Sequence, residues 1–272
     1  MKLKRTLSYS DKKQIWRLLV SNTDKLIIET RDVKEKEVFF HSFFFDNGKE
    51  IFKNLQLDEK YWLGIESVKN DIIYFHKFAK PNMPEHKKII AYDIFKNEVI
   101  WQNDDLTYLT FLDNKIYAFK KKFEGKNVYV LNHLTGEIIE ELGDDFQKLN
   151  EIINLSQSEE DFSDYKYPEQ IVDLNNFKHA NLIEKETKFK NIHSNINYLE
   201  FEELLFFNYY LINKKNKLSN FFVAYNLSKN KRLLSETLDE NLNSFSPDSF
   251  FCFKNYLIMI KNKNTVIVYK IV

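Results

Sequence analysis

Short apolar segments alternate with polar turns along most of the chain, at lengths that predict β-strands rather than helices. Between Ile15 and Leu55, four such segments follow one another: WRLLVS, KLIIETRD, EVFFHSFFF and EIFKNL. The last two are separated by the sequence DNGK at 46–49. An Asn-Gly pair between apolar runs favours a hairpin, because both residues tolerate a positive φ. The pattern therefore predicts a unit of four antiparallel strands.

This four-strand unit recurs along the chain. Further copies run from Tyr61 to Gln102, from Thr107 to Leu142, from Tyr198 to Leu238 and, in shortened form, from Asp248 to Val272. The final turns of the first three copies fall at Gly48, Asn97 and Gly136, which are 49 and 39 residues apart. A repeat of about 40–50 residues with four strands is typical of a β-propeller, in which each repeat is one blade. We therefore predict an all-β propeller forming a single domain over residues 1–272, with five blades and six as the alternative.

Two segments depart from this repeat. Residues 143–196 are polar, and their apolar positions have helical spacing: Phe146, Leu149, Ile152, Ile153 and Leu155. This predicts a short helix and loop inserted between blades three and four, together with an extended stretch at ANLIEKETKF. The fifth copy is one strand short, and the N-terminal segment LKRTLSYS alternates well enough to supply the missing strand. Such a strand would close the ring and cover an open sheet edge.

Composition narrows the classes of function. The 272 residues include 40 basic and 40 acidic side chains, so the chain has no global charge that would favour nucleic acid or an anionic membrane. Cys252 is the only cysteine, which excludes an intrachain disulfide and a cysteine-based zinc cluster. The N-terminus lacks the features of a secretion signal, and no apolar stretch reaches membrane-spanning length. We expect a cytoplasmic monomer.

One stretch resembles a known propeller repeat. KKIIAYDIFKNEVIWQ is similar to the quinoprotein-like (PQQ-like) motif A-x-D-x-x-T-G-x-x-x-W, with Ala91, Asp93 and Trp101 in place and Asn97 instead of the glycine. The pieces WRLLVS with IIETRD, YWLGIES, FHKFAKPNMPEHKKIIAYD and SPDSFFCFKNYLIMI also resemble an uncharacterised propeller-like family found in Bacteroidetes. The first resemblance implies the fold without a quinone, and the second implies no known activity. We therefore expect no cofactor.

The most unusual local sequence is a loop with two prolines, bounded by His76 on one side and by His86 and Lys87 on the other. Pro81 and Pro84 stiffen it, because each fixes φ and restricts the residue before it. His76 and His86 can approach each other across the base of the loop, where they would offer a general base or a metal site. We expect no metal there, because the sequence shows no third ligand.

A second group of candidates consists of charged residues in strands. Alternation predicts that Glu29 and Arg31 share one face of their strand, with Asp32 on the other, while Glu66 lies in an otherwise apolar strand. Carboxylates that line a propeller channel serve as acid, base or nucleophile in propeller glycosidases. The structural alternative is that these carboxylates pair with arginine or lysine side chains between blades. Trp62 is either a stacking platform at the channel mouth or a packing residue between blades.

Two functional hypotheses follow. The first is a non-catalytic scaffold that binds a protein or a small molecule through one propeller face and the proline loop. The alternative is a hydrolase, carbohydrate-active or lactonase-like, that uses channel carboxylates. The sequence does not decide whether the protein is an enzyme, because propellers carry unrelated functions.

Overall fold

The computed structural model describes residues 1–79, 85–187, 192–246 and 249–272, and in these residues the strands form five antiparallel sheets. Three sheets each contain four strands that are consecutive in sequence and hydrogen-bonded in that order. Sheet I has β2 (Gln14–Val20), β3 (Lys25–Asp32), β4 (Glu37–Phe44) and β5 (Glu50–Leu55); sheet II has β6 (Leu63–Lys69), β7 (Ile72–Phe78), β8 (His86–Asp93) and β9 (Glu98–Asn103); sheet III has β10 (Thr107–Leu112), β11 (Lys115–Lys121), β12 (Lys126–Asn132) and β13 (Ile138–Gly143). These sheets correspond to the first three predicted repeats.

The other two sheets each have five strands, and β1 (Leu3–Ser10) belongs to the last one. Sheet IV has β15 (Glu169–Gln170), β16 (Ile192–Phe201), β17 (Leu204–Ile212), β18 (Leu218–Asn226) and β19 (Lys231–Leu242); sheet V has β14 (Tyr165–Lys166), β20 (Phe250–Phe253), β21 (Tyr256–Lys261), β22 (Thr265–Ile271) and β1. β1 pairs antiparallel with β22, from Leu3 opposite Ile271 to Ser10 opposite Thr265. The N-terminal segment therefore supplies a strand to the sheet that the sequence left one strand short.

The predicted hairpin turns have the backbone geometry that their residues favour. Gly48, Asn97 and Gly136 have φ values of 68°, 59° and 72°. Asn230, at the turn predicted in the fourth copy, has a φ of 47°. These left-handed conformations are those that glycine and asparagine adopt most readily.

Two helices lie between sheets III and IV in sequence, α1 (Phe146–Glu159) and α2 (Ala180–Thr187). Asp145 caps α1, because its Oδ1 accepts the backbone N–H groups of Gln147 and Lys148 at 3.1 Å each. α1 agrees with the helix predicted in this segment. The extended stretch predicted at ANLIEKETKF was wrong over Ala180–Thr187, which forms α2. Burial at helical spacing decides this, since Ile183 and Thr187, four residues apart, are the buried side chains of α2.

The chain consists of two compact units, each with its own core. One contains residues 15–44 and 49–161, and therefore sheets I to III with α1. In it, one apolar cluster joins sheet I to sheet II, including Phe40 and Phe75, whose ring centroids are 4.7 Å apart. Another joins sheet II to sheet III and includes Tyr74 and Ile116. Sheet II is thus covered on both faces, and full burial of each large apolar side chain contributes about 1.5–3 kcal/mol.

The other unit contains residues 1–14, 45–48 and 162–272, with sheets IV and V and α2. Phe206 and Phe222 of sheet IV pack in one cluster with Phe250 and Cys252 of sheet V. A second cluster on sheet IV includes Ile183 of α2. The second helix of the insertion therefore has a packing role within its own unit.

Candidate functional site

Three polar side chains from adjacent strands meet on sheet II: Glu66 of β6, His76 of β7 and His86 of β8. Gly64 is paired directly with His76, and Phe78 with His86. Since directly paired residues and residues two apart share a face, both histidines lie on one face of the sheet. Three strands of a covered sheet hold the group.

The pairing of β6 with β7 is irregular at Glu66. Ile65 pairs with Phe75 and Ser67 pairs with Tyr74, so Glu66 is an extra residue with no partner on β7. A bulge of this kind bends its strand and redirects a side chain. Glu66 is two residues from Gly64, which pairs with His76, so alternation places it on the face of the histidines, and the bulge lies at the residue whose carboxylate contacts them.

A second irregularity lies on the other side of His76. Phe75 pairs with Ile90 and Lys77 pairs with Lys87, so two residues of β8 oppose the single residue His76. Lys88, within this bulge, has a φ of 60°, a conformation that a lysine adopts only at a cost of roughly 1–3 kcal/mol. Bulges and left-handed non-glycine residues are concentrated at functional sites. The strain at Lys88 thus marks this part of sheet II as a candidate site.

The three side chains are in direct contact. Nδ1–H of His86 donates a hydrogen bond to Oε1 of Glu66 at 2.8 Å. Nδ1 of His76 lies 3.0 Å from the same oxygen. The two imidazole rings are stacked face to face, with centroids 3.5 Å apart and planes 8° from parallel.

Burial differs sharply between the two histidines. The side chain of His76 is 3% exposed and that of His86 is 34% exposed. Among the described residues, neither ring nitrogen of His76 has a hydrogen-bond partner of good geometry, although Nδ1 is 3.0 Å from Oε1 of Glu66. A buried polar group without a partner costs about 1–3 kcal/mol. Burial of the His76 imidazole therefore destabilises the fold, and a ligand bound to its nitrogens would offset that destabilisation.

Neighbouring residues hold the ring of His76 in place. Gly64 lies against it so closely that a Cβ at residue 64 would be 2.8 Å from Cε1 and Nε2 of the imidazole. Phe78 meets both histidines edge to face, with centroid distances of 5.0 and 5.4 Å. Trp62, a predicted site residue, packs against Phe78 at 6.1 Å and against Tyr61 at 5.0 Å. In the structure, Trp62 supports the ring that borders the histidines and does not contact them itself in any described ring pair.

The electrostatics favour an ionised Glu66. Burial raises the pKa of its carboxyl, but the close approach and positive charge of His76 and the hydrogen bond and charge of His86 together outweigh burial, and the pKa lies below its usual range. The site therefore presents a carboxylate anion beside two imidazoles.

Two residues of β10 in sheet III, Thr107 and Tyr108, contact the strands that carry His86 and Glu66. The hydroxyl of Thr107 donates to the backbone carbonyl of His86 at 3.1 Å, and the hydroxyls of Ser67 and Tyr108 are 2.8 Å apart. Burial raises the pKa of Tyr108 far above its ordinary value, and the charges of Glu66 and of Glu160 raise it further, against the opposing effect of the Ser67 hydrogen bond. Tyr108 therefore remains a neutral phenol, and the residue that follows α1 contributes negative charge to its surroundings.

Glu29 and Arg31 form a separate group. They share one face of β3, as alternation predicts, and Nε of Arg31 donates to Oε1 of Glu29 at 2.6 Å. The same guanidinium donates to the backbone carbonyls of Tyr61 at 3.0 Å and Leu63 at 2.6 Å. Both side chains are buried, Glu29 to 1% exposure. Glu29 therefore pairs with a cation of its own strand, not with one from another sheet, and its carboxylate is held by Arg31 within the core.

The remaining predicted residues have local roles. Oδ1 of Asp32 accepts the backbone N–H groups of Lys34 and Glu35, which makes Asp32 part of the turn after β3. Lys87 is exposed on β8 beside His86. Pro81 and Pro84 of the predicted stiff loop lie outside the described residues. The sequence missed Gly64 and Lys88; an isolated glycine within a strand was the available signal for a close approach at residue 64.

Comparison with known proteins gives a partial match to a family of unknown function. A model of a domain of unknown function (DUF4905) matches residues 19–101, which is less than a third of the chain and includes the whole Glu66, His76 and His86 cluster. No curated protein matches this sequence. Among the described residues, no helix has the length and apolar character needed to cross a bilayer.

Several solved structures share weak similarity over most of the chain. The propeller of Dos1 has 9% identity and a TM-score of 0.39, with 98% of this chain and 95% of that chain covered. A europium-containing methanol dehydrogenase has 10% identity and a TM-score of 0.33, with 97% and 52% covered. A putative exported protein from Bacteroides fragilis has 12% identity and a TM-score of 0.33, with 98% and 94% covered. At such identities and scores, no property of these proteins transfers to this chain.

Proposed function

We propose that the protein is a five-bladed β-propeller that acts as a non-catalytic binding protein, with its ligand site at Glu66, His76 and His86. The propeller arrangement is supported by five antiparallel sheets, three of them made of four consecutive strands, and by the pairing of β1 with β22, which joins the first and last strands in one sheet. In this proposal, residues 1–272 form one ring, and the protein is a monomer.

The observation that carries the binding function is the state of His76. Its imidazole is buried, neither nitrogen has a hydrogen bond of good geometry within the described residues, and it lies between two irregularities of strand pairing. Gly64 and Phe78 hold the ring by packing, and Nδ1 is 3.0 Å from Oε1 of Glu66, but packing does not satisfy the polar nitrogens. A small ligand that approaches past the half-exposed His86 would meet two imidazoles and a carboxylate.

The second candidate function is a hydrolase that uses a histidine and not a pair of carboxylates. A two-carboxylate mechanism of the glycosidase type needs both groups to reach the substrate, and Glu29 is buried and bound by Arg31. The pair of Glu66 and His86 has a different use, since the carboxylate holds Nδ1–H and leaves Nε2 as the basic nitrogen. This hydrogen bond supports a histidine-based hydrolase as the second candidate.

One set of measurements separates these two functions. A thermal-shift panel of divalent metal chlorides, monosaccharides and small carboxylic acids is run on the full chain and on His86→Ala. A parallel assay measures release of nitrophenol from acyl esters and glycosides, and opening of simple lactones. A ligand that stabilises the wild type alone, without turnover, would support the binding protein, whereas turnover that is lost in His86→Ala would support the hydrolase.

His179→Ala is the matched control, because His179 also lies near a glutamate, with Nε2 3.5 Å from Oε1 of Glu200. It should behave as the wild type in both assays. No ligand response and no turnover would contradict a functional site at this cluster. The ring is tested separately by X-ray scattering: a compact monomer should have a radius of gyration of about 18–19 Å, and a markedly larger value would contradict it.

A further inference from the structure

We propose that Glu66, His76 and His86 bind one divalent ion of the zinc class through Oε1 and two imidazole nitrogens. This inference deepens the proposed function and rests on it, because it names the ligand of the same site. It differs from the expectation of no metal drawn from the sequence, where the third ligand was not apparent. Glu66, on the strand next to His76, is that ligand.

The donor set fits this class of ion. Imidazole nitrogen suits zinc, copper, nickel and iron(II), whereas an all-oxygen set would suit magnesium or calcium. Two histidines and one glutamate are a known three-ligand set for zinc, and they leave a fourth position for water or an exogenous ligand. The three donor atoms lie within 4.8 Å of one another. Exposure of His86 provides the open side for the fourth position.

The buried state of His76 is an independent indication. A ring that is 3% exposed and has no hydrogen-bonded nitrogen still has a donor lone pair to satisfy. Gly64 and Phe78 fix the orientation of this ring, as the immediate surroundings of a metal ligand generally do. Coordination would use a nitrogen that nothing else in its described surroundings uses.

Ion binding requires a small and specific rearrangement. An ion lies in the plane of each imidazole that binds it, and two parallel rings 3.5 Å apart cannot share such an ion. One ring must therefore turn out of the stack, and His86 is the ring with room to turn. Two ligand atoms that each lie about 2.0–2.1 Å from a tetrahedral ion are farther from each other than these donor atoms are now. The present Nδ1–Oε1 distances of 3.0 Å for His76 and 2.8 Å for His86 would have to increase by a few tenths of an ångström.

The test uses the tag-free full chain, stripped with a chelator, and titrated with zinc chloride in a calorimeter. We expect one ion per chain for the wild type and for the control His179→Ala. His86→Ala and Glu66→Gln should weaken binding by at least about 10–100-fold, the range caused by losing even an indirect support of a metal ligand. Cobalt(II) provides a second readout, since its visible ligand-field bands should be intense in the wild type and weak in both variants.

Gly64→Ala keeps all three donors and displaces the ring of His76, so it should also weaken zinc binding, with its folding checked by circular dichroism. Equal zinc binding by the wild type, His86→Ala and Glu66→Gln would overturn the metal site and indicate adventitious surface binding. If zinc fails while another compound of the panel stabilises the wild type and not His86→Ala, the metal inference falls and the binding function stands. If no compound binds, both fall.

Discussion

Replacing Arg31 with methionine removes the positive charge that neutralises a buried carboxylate. The guanidinium makes three hydrogen bonds, one to Glu29 and two to backbone carbonyls of the segment that leads into β6. Methionine preserves much of the volume and leaves Glu29, at 1% exposure, without its cationic partner. Breaking a buried ion pair in this way costs about 3–5 kcal/mol. That is a large fraction of the 5–15 kcal/mol by which typical domains are stable.

The assay is urea unfolding followed by tryptophan fluorescence, since the guanidinium of Arg31 lies 5.5 Å from the ring of Trp16. With a slope of about 2 kcal/mol per molar urea, the midpoint should fall by roughly 1.5–2.5 M. Arg232→Met is the matched control. Arg232 is half exposed and lies 3.3 Å from Glu186, so its loss should cost less than about 1 kcal/mol.

A double variant distinguishes the buried charge from lost packing. In Glu29→Gln with Arg31→Met, no unpaired carboxylate remains, so the double variant should be more stable than the sum of the single losses by about 0.5–3 kcal/mol. Two results would refute the reasoning. One is an Arg31→Met cost no larger than that of Arg232→Met, and the other is strict additivity of the two substitutions.

Three further predictions concern parts of the chain away from this pair. Gly48→Ala should destabilise the protein more than Gly125→Ala, because both glycines have a positive φ but only at residue 48 would a Cβ lie 2.0 Å from the carbonyl oxygen of Thr6; equal shifts in melting temperature would contradict this. Burial raises the pKa of the Cys252 thiol to about 12, so labelling by a disulfide reagent at pH 8 should occur only at the rate of unfolding, and fast labelling of the native protein would be contrary evidence. Burial also raises the pKa of Asp239. The contribution of Asp239 to stability is therefore complete below its unfolded pKa and is lost as pH rises through its folded pKa. Asp239→Asn should remove that loss and be more stable than the wild type at pH 7, as measured by urea unfolding across pH.

Periodicity predicted the strands well because the sheets are covered by neighbouring sheets. The runs LIIETRD and IIYFHKF belong to strands that are almost wholly buried, and their boundaries follow the turns at glycine and asparagine. The pattern failed at Ala180–Thr187, where a helix of eight residues, about two turns, was too short to establish a helical period. Only two buried residues of α2, Ile183 and Thr187, have the helical spacing of four.

The candidate site was less predictable, because its geometry depends on pairing between strands. His76 and His86 flank one loop, so their proximity follows from the hairpin that joins β7 and β8. Glu66 belongs to the preceding strand. Alternation puts it on the face of Gly64 and His76 once the pairing of Gly64 with His76 is known, but that pairing and the extra residue in β6 are not specified by the composition or spacing of a single sequence. The ionic partner of Glu29, by contrast, is two residues away and follows from alternation alone.

Comparison of sheets II and III separates what the repeat provides from what this site adds. β10 also has an extra residue opposite β11, between the pairs Tyr108–Ala118 and Thr110–Tyr117. By this register, the residues of sheet III that correspond to Gly64, Glu66 and His76 are Thr107, Leu109 and Phe119. The bulge is therefore a feature of the repeat, and in sheet III it carries an apolar side chain. The glycine of sheet II, which makes room for an imidazole, is replaced there by a branched residue.

The bulge at Lys88 is different in kind. In the described part of the chain, the corresponding strand pairs β3–β4, β11–β12, β17–β18 and β21–β22 have no shift of register, whereas β7–β8 contains one. A repeat that folds regularly four times and breaks once must gain something at the break, since the left-handed lysine costs free energy. The break lies opposite His76, whose buried ring has no hydrogen bond of good geometry at either nitrogen among the described residues. Restoring regular pairing, by deleting Lys88, should therefore stabilise the sheet or leave its stability unchanged while abolishing ligand binding.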